Sequence, residues 1–344
     1  LSVRCVSFDI KKGRIMNSKD ERQTIRSDEE RSDFEIFCDK LISRLECYYG
    51  DNYSITISSV NKNNGIIRHA LLIREDVCNL SPSIYIDKLY EDYSDGTSFA
   101  EIIREIIDIR NENDYLDDFD VDFVKNYELV RQRLGMKLVS RELNRELLTN
   151  APYIEFADLA LVFFIMVTEI KVGEASILIK NELFDEWNVT VTELHHDAKE
   201  NMMRMYPPVR SALVDMVGDL LGVLKLPEAN CPGETDIPYD LQDEIGNNCM
   251  YVLTNQARWY GATCMAYTDM LKCIADSFES DFYILPSSIH EIILIPVGSV
   301  ADISRGFLTS MVREVNAAEI SEEEILSDHA YLYHRANNWL ESLE

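Results

Sequence analysis

A chain of 344 residues that is 46% hydrophobic and 10% aromatic has enough apolar surface for one large or two modest cores, which excludes intrinsic disorder. Against 33 basic residues it carries 61 acidic ones, a net charge of −28; that field opposes nucleic-acid phosphates and anionic lipid and favours cations or a basic protein partner. The longest apolar run, Leu159 to Val167, falls well short of the roughly 20 residues that a membrane-crossing helix needs, so it reads as a buried strand and no membrane role is expected.

Residues 1–31 are polar and of mixed charge. Leu1 to Met16 lacks the apolar centre and small-residue cleavage site of a secretory signal, and Lys11, Lys12 and Arg14 follow its mildly apolar stretch instead of preceding it. Met16 is a candidate translation start, which makes residues 1–31 a disordered or spurious extension and the expected location cytoplasmic. They hold 8 basic and 6 acidic groups, so the remainder carries 25 against 55, a net −30. The acidity therefore belongs to the folded body. Eight cysteines, none in a Cys-x-x-Cys pair, fit a reducing compartment; Cys38, Cys264 and Cys273 sit in apolar patterns and read as small core residues.

Ser32 with Glu35 forms a capping box, and Phe34, Phe37, Cys38, Leu41 and Leu45 recur at helical spacing up to about Tyr48. Tyr53, Ile55 and Ile57 alternate with polar residues, and Asn63-Asn64-Gly65 separates them from Ile66 to Ile73, a hairpin whose turn needs positive φ. Ser83 to Ile86 adds a strand, and Ser98 with Glu101 caps a helix through Phe99, Ile102, Ile103, Ile106 and Ile107. A first module thus spans residues 32–112.

From Asn111 to Asp122 there are six acidic residues and no basic one, which marks a boundary and opens a second, larger module over residues 113–344. Tyr115, Phe119, Phe123 and Tyr127 fall four apart, as on one face of a packed acidic helix. Strands follow at Lys137 to Leu143, Leu161 to Val167 and Ala175 to Ile179. Thr190 and Glu193 cap a helix ending near Pro207, and Val209, Leu213, Val217, Leu220 and Leu224 mark another before a loop from Pro227 to Pro238. Strands at Met250 to Thr254 and Ala262 to Tyr267 precede a helix from Asp269 to Phe278. Strands at Phe282 to Leu285 and Glu291 to Pro296, a helix with Ile303, Phe307, Met311 and Val315 inward, and a strand at Ala330 to Tyr333 complete the chain. Short turns between adjacent strands imply an α+β protein of mostly antiparallel sheets with packed helices.

Few side chains form a chemical signature. Asp118, Asp120 and Asp122 imitate a calcium loop, but Phe123 stands where glycine is required and Leu129 where glutamate is. His290-Glu291 begins like a zinc-protease helix, yet Leu294 replaces the second histidine and the flanking isoleucines favour a strand. His195 and His196 lie about 100° apart on a helix and do not suit one metal. The candidate catalytic residues are Ser287, Ser288, His290 and Glu291, where a nucleophile and a base meet in the connection between two apolar strands. Against that stands a tight turn satisfied by its serines, with His290 closing a strand end. A candidate metal set is His290, Glu291, Asp328 and His329, with imidazole and carboxylate ligands suited to zinc or manganese if the two strand starts are neighbours. No glycine-rich phosphate loop or dinucleotide fingerprint occurs, and no cofactor is expected.

The stretch Leu285-Pro286-Ser287-Ser288-Ile289-His290-Glu291-Ile292-Ile293-Leu294 resembles an uncharacterised bacterial family catalogued as domain of unknown function 5688. So do Asn63-Asn64-Gly65, Ser81-Pro82-Ser83-Ile84-Tyr85, Ala157-Asp158-Leu159-Ala160 within Phe156 to Phe163, Met250 to Asn255, and Ser327-Asp328-His329. The resemblance runs from about residue 33 to the end and implies no activity, cofactor or catalytic residue. Tyr153 departs from a histidine that the family is associated with. The expected function is a non-enzymatic cytoplasmic protein that binds or regulates another macromolecule, with a basic protein as partner and no nucleic-acid binding. The alternatives are a hydrolase or metal-dependent enzyme centred on Pro286 to Glu291, and a mimic of nucleic acid that occupies a basic site.

Overall fold

The computed structural model describes residues 6–7, 32–75, 83–112, 121–166, 175–213, 250–299 and 304–343. They form an α+β fold that divides into two compact units: Leu1–Lys62, Ile67–Val124 and Met166–Ile177 in the first, Asn63–Ile66, Lys125–Ile165 and Leu178–Glu344 in the second.

In the first unit, β1 (Val6–Ser7) makes a parallel pair with Ala175 and Ser176, an exception to the antiparallel pattern. Helix α1 (Asp33–Tyr49) starts at the expected capping box, where Glu35 N donates to Ser32 Oγ at 3.2 Å and Ser32 N to the Glu35 carboxylate at 2.8 Å. β2 (Tyr53–Asn61) and β3 (Ile67–Glu75) pair from Tyr53↔Glu75 to Asn61↔Ile67, and β4 (Ser83–Tyr85) adds to β3. The connecting residues 62–66 are longer than a two-residue hairpin turn, although Asn64 (φ 60°) and Gly65 (φ 71°) do take the left-handed conformation. α2 (Asp87–Ser94) and α3 (Phe99–Glu112) follow, the latter capped by Ser98 and Glu101. Phe37, Leu41, Leu45, Leu71, Ile73, Ile102 and Ile106 form its core.

The acidic boundary does not continue as one helix through its described part. Phe123 lies in a 3-10 turn, and Tyr127 opens α4 (Tyr127–Val130) after a fresh N-cap at Asn126; Tyr115 and Phe119 fall outside the described residues. β5 (Leu134–Ser140), α5 (Arg145–Thr149), β6 (Tyr153–Phe156) and β7 (Leu159–Met166) come next. β7 pairs antiparallel with β5 on one side and β6 on the other, and every one of its residues is buried. A central strand covered on both faces explains the uninterrupted apolar run. β8 (Ala175–Leu178) and α6 (Asn181–Trp187) lead to α7 (Val191–Met205), which has the third expected capping box at Thr190 and Glu193.

β9 (Pro208–Ala212) replaces the helix expected from Val209 onward. It pairs with β10 (Tyr251–Asn255) from Asn255↔Pro208 to Tyr251↔Ala212; Val209 and Leu213, four apart, fit either period. Val217, Leu220, Leu224 and the loop from Pro227 to Pro238 lie outside the described residues. The strand expected at Ala262 to Tyr267 is a 3-10 turn, Gly261–Ala266, with Ala262 to Met265 all buried, so there is no alternation between two faces. α8 (Thr268–Phe278), β11 (Phe282–Pro286) and β12 (Ile292–Pro296) stand as expected. Cys264 is buried, but Cys273 on α8 is exposed and is not a core residue.

α9 (Arg305–Glu319) forms where expected and turns a different face inward. Leu308 and Val312 are buried, whereas of the expected residues Phe307 and Val315 are 56% and 40% exposed, Met311 packs partly buried against the same core, and Ile303 lies outside the described residues. The two apolar stripes are one residue apart. The inward one also brings Thr309, whose hydroxyl donates to Leu343 O at 2.9 Å, and Asn316, whose amide donates to Ser327 O at 3.0 Å. β13 (Ala330–His334) and an unforeseen β14 (Trp339–Leu343) complete an antiparallel sheet of order β14-β13-β11-β12-β10-β9. Among the described residues no helix is long and apolar enough to cross a membrane.

Candidate functional site

Residues 287–291 close the β11–β12 hairpin. The N–H groups of Ser287 and Ser288 both donate to Glu291 O at 3.2 Å, and Ser288 Oγ accepts the backbone N–H of His290 at 3.0 Å. Ile289 N donates to Glu324 O at 2.9 Å, and His290 O accepts Thr254 Oγ1 at 2.7 Å. The His290 ring stacks on Tyr260, with centroids 5.7 Å apart and planes 7° apart, and its Nδ1 accepts the Tyr260 N–H at 3.2 Å. Its Nε2 lies 3.9 Å from Glu324 Oε1, and Lys137 Nζ sits 4.6 Å from the centre of the Tyr260 ring. Ser288 and the His290 ring therefore bind separate backbone groups, as a serine-satisfied turn requires.

Burial, reinforced by the Lys137 charge, holds the His290 ring below its usual value, and burial together with Glu323 raises the Glu324 carboxyl. A depressed imidazole in the folded chain means that the unfolded chain protonates first as pH falls below about 6.5, so stability present above that value is lost through the folded value. Glu324, shifted upward, acts in the opposite sense. The measurable quantity is thus the difference between variants: His290→Gln should show a smaller loss of urea midpoint than the parent between about pH 7.5 and 5.5. An unchanged pH dependence would remove His290 from this account.

The four candidate metal ligands do not gather. Asp328 Oδ1 accepts the Asn316 amide at 2.8 Å, and His329 N donates to Ser327 Oγ at 3.0 Å. β12 and β13, which begin just after His290-Glu291 and Asp328-His329, flank β11 on opposite sides. Two strand spacings, about 9–10 Å, separate them. Among the described residues no three His, Cys, Asp or Glu side chains are grouped to hold a metal ion. His195 and His196 also remain apart: the former packs near Phe163, and the latter lies 3.3 Å from Glu200.

Instead, the structure gathers loops around residues 322–331. Asn64 Nδ2 donates to Glu322 O at 2.8 Å and Ile325 O at 2.7 Å, and Asn63 Nδ2 to Glu323 O at 2.9 Å. Asn64 N donates to Asn144 Oδ1 at 2.9 Å, and Asn144 Nδ2 returns a bond to Asn64 Oδ1 at 2.8 Å. Asp158, in the tight β6–β7 turn, accepts the Tyr331 hydroxyl at 2.6 Å and the Ser327 hydroxyl at 3.0 Å. Asn63-Asn64, Asp158, the Ile289 turn and Ser327-Asp328-His329 thus meet on one segment. Each belongs to a block that carries the resemblance described above.

A model of a family of unknown function, DUF5688, matches residues 34–335. The chain belongs to DUF5688. No curated protein and no solved structure matches it. In this DUF5688 chain Tyr153, the departure noted in the sequence, stands on β6 and is 36% exposed. Asn144, Asn316 and Thr254 were not singled out from the sequence, because an asparagine or threonine that ties loops together carries no local pattern.

Proposed function

We propose that this protein is a non-enzymatic cytoplasmic binder that holds or regulates another macromolecule, and that its partner is basic. The observation that supports this best is where the reactive side chains are spent. Ser288, His290, Asp158 and Asp328 each tie down a loop, while Glu319 and Glu322 are exposed and Glu291, Glu323 and Glu324 partly so. Carboxylates of one sign around a rigid hub steer a cationic surface toward it and fix orientation more than they add affinity.

A lysine-rich polypeptide is the direct probe. Capture by the full chain should be strong at about 50 mM salt and at least about tenfold weaker at 500 mM, as screening shortens the reach of the field. Glu319→Lys with Glu322→Lys should weaken it further at low salt. Capture that ignores both salt and charge reversal would refute acidic steering.

A further inference from the structure

A cavity of about 530 Å³ opens between α7 and the segment containing α4. Its floor is a built polar network. Asp197, 7% exposed, accepts from the Tyr127 hydroxyl at 2.8 Å and from Arg131 Nε and Nη2 at 2.8 and 3.2 Å. Asn201, 6% exposed, donates to Arg131 O at 2.8 Å and Leu134 O at 3.1 Å, and its Oδ1 accepts Arg204 Nη2 at 3.0 Å. The fork between Arg131 and Asp197 cancels both charges. A purely structural network would end there.

Three charges on the rim remain. Arg204 is held in place by the neutral Asn201 amide and has no carboxylate within ion-pair distance among the described residues. Glu128 has no cation within ion-pair distance there and feels the Arg131 charge only from farther off, and Glu200 faces only His196, at 3.3 Å. The lip therefore offers one positioned guanidinium and two carboxylates around a space of the size that takes small ligands. The complementary ligand has one carboxylate and two cationic groups.

We infer that this cavity binds a free basic amino acid. Its α-carboxylate lies on Arg204 and its cationic groups on Glu128 and Glu200. The inference does not depend on the basic-macromolecule reading above.

Calorimetric titration of the full chain with L-lysine, Nα-acetyl-L-lysine and cadaverine tests it. L-Lysine should bind at least about tenfold more tightly than cadaverine, which lacks the carboxylate, and than Nα-acetyl-L-lysine, which lacks the second cation. Arg204→Gln should erase the preference over cadaverine, and Glu128→Gln with Glu200→Gln should abolish binding of all three. All three side chains are exposed, so these variants keep the fold, as an unchanged melting temperature will verify. No heat from L-lysine up to about 10 mM, cadaverine or Nα-acetyl-L-lysine binding as tightly as lysine, or a preference over cadaverine that survives Arg204→Gln would overturn it.

Discussion

Gly261→Ala is expected to lower stability by about 3 kcal/mol or more, beyond the usual cost of a single added methyl. A Cβ at residue 261 would stand 2.1 Å from Thr254 Oγ1, 2.4 Å from His290 O and 2.8 Å from Asn255 N. Two of these atoms are backbone. The third is locked, because Thr254 Oγ1 donates to that same His290 carbonyl. The clash therefore pushes β10 and the His290 turn apart. Two further glycines calibrate the effect. At Gly135 a Cβ would meet the Phe164 ring at 2.5 Å, a side chain that can tilt, so the loss there should be smaller; at Gly306 nothing lies within 4 Å, and alanine should be tolerated. Urea midpoints for the three variants decide the matter: a Gly261→Ala protein as stable as Gly306→Ala would show that the close approach is absent.

The second large effect concerns Asp158. Its carboxylate accepts from the hydroxyls of Tyr331, which is 0% exposed, and of Ser327, 5% exposed. Asp158→Ala leaves both hydroxyls without their acceptor and should cost about 2–4 kcal/mol, since hydrogen bonds to a charged group contribute about 1.5–3 each. Tyr331→Phe alone should cost less, and the double variant should lose less than the sum of the singles, with a coupling of about 1 kcal/mol or more. Additive losses would mean that the 2.6 Å contact carries no stability.

Much of this was legible in the sequence, for identifiable reasons. Ser32, Ser98 and Thr190 all cap helices because a capping box is complete within four residues and needs nothing from the rest of the fold. The run through Leu161 and Phe164 read as a strand because burial on both faces leaves a continuous apolar record. Gly261 to Ala266 did not, since a buried 3-10 turn is as apolar as a strand and far too short to show a period. On α9 two stripes competed, and Thr309 and Asn316 settled which faced inward through partners at Leu343 and Ser327 that no local pattern announces. The site divides in the same way. The alternative that the serines of residues 287–291 serve a tight turn was visible beforehand. The bond joining Asp158 to Ser327 spans 169 residues, and no spacing rule reaches that far.

That span has a temporal side as well. β13 pairs with the outer edge of β11, and β14 then covers β13, so both wait for residues 330–343 to be made. At ordinary elongation rates of about 5–20 residues per second, Asp158 emerges roughly 10–30 s before the serine and tyrosine that it will hold. During synthesis, β11 presents a bare strand edge of the sort that nascent chains pair wrongly. β13 and β14 therefore act as a latch, and a ribosome that stalls before they emerge leaves the edge of β11 open to aggregation.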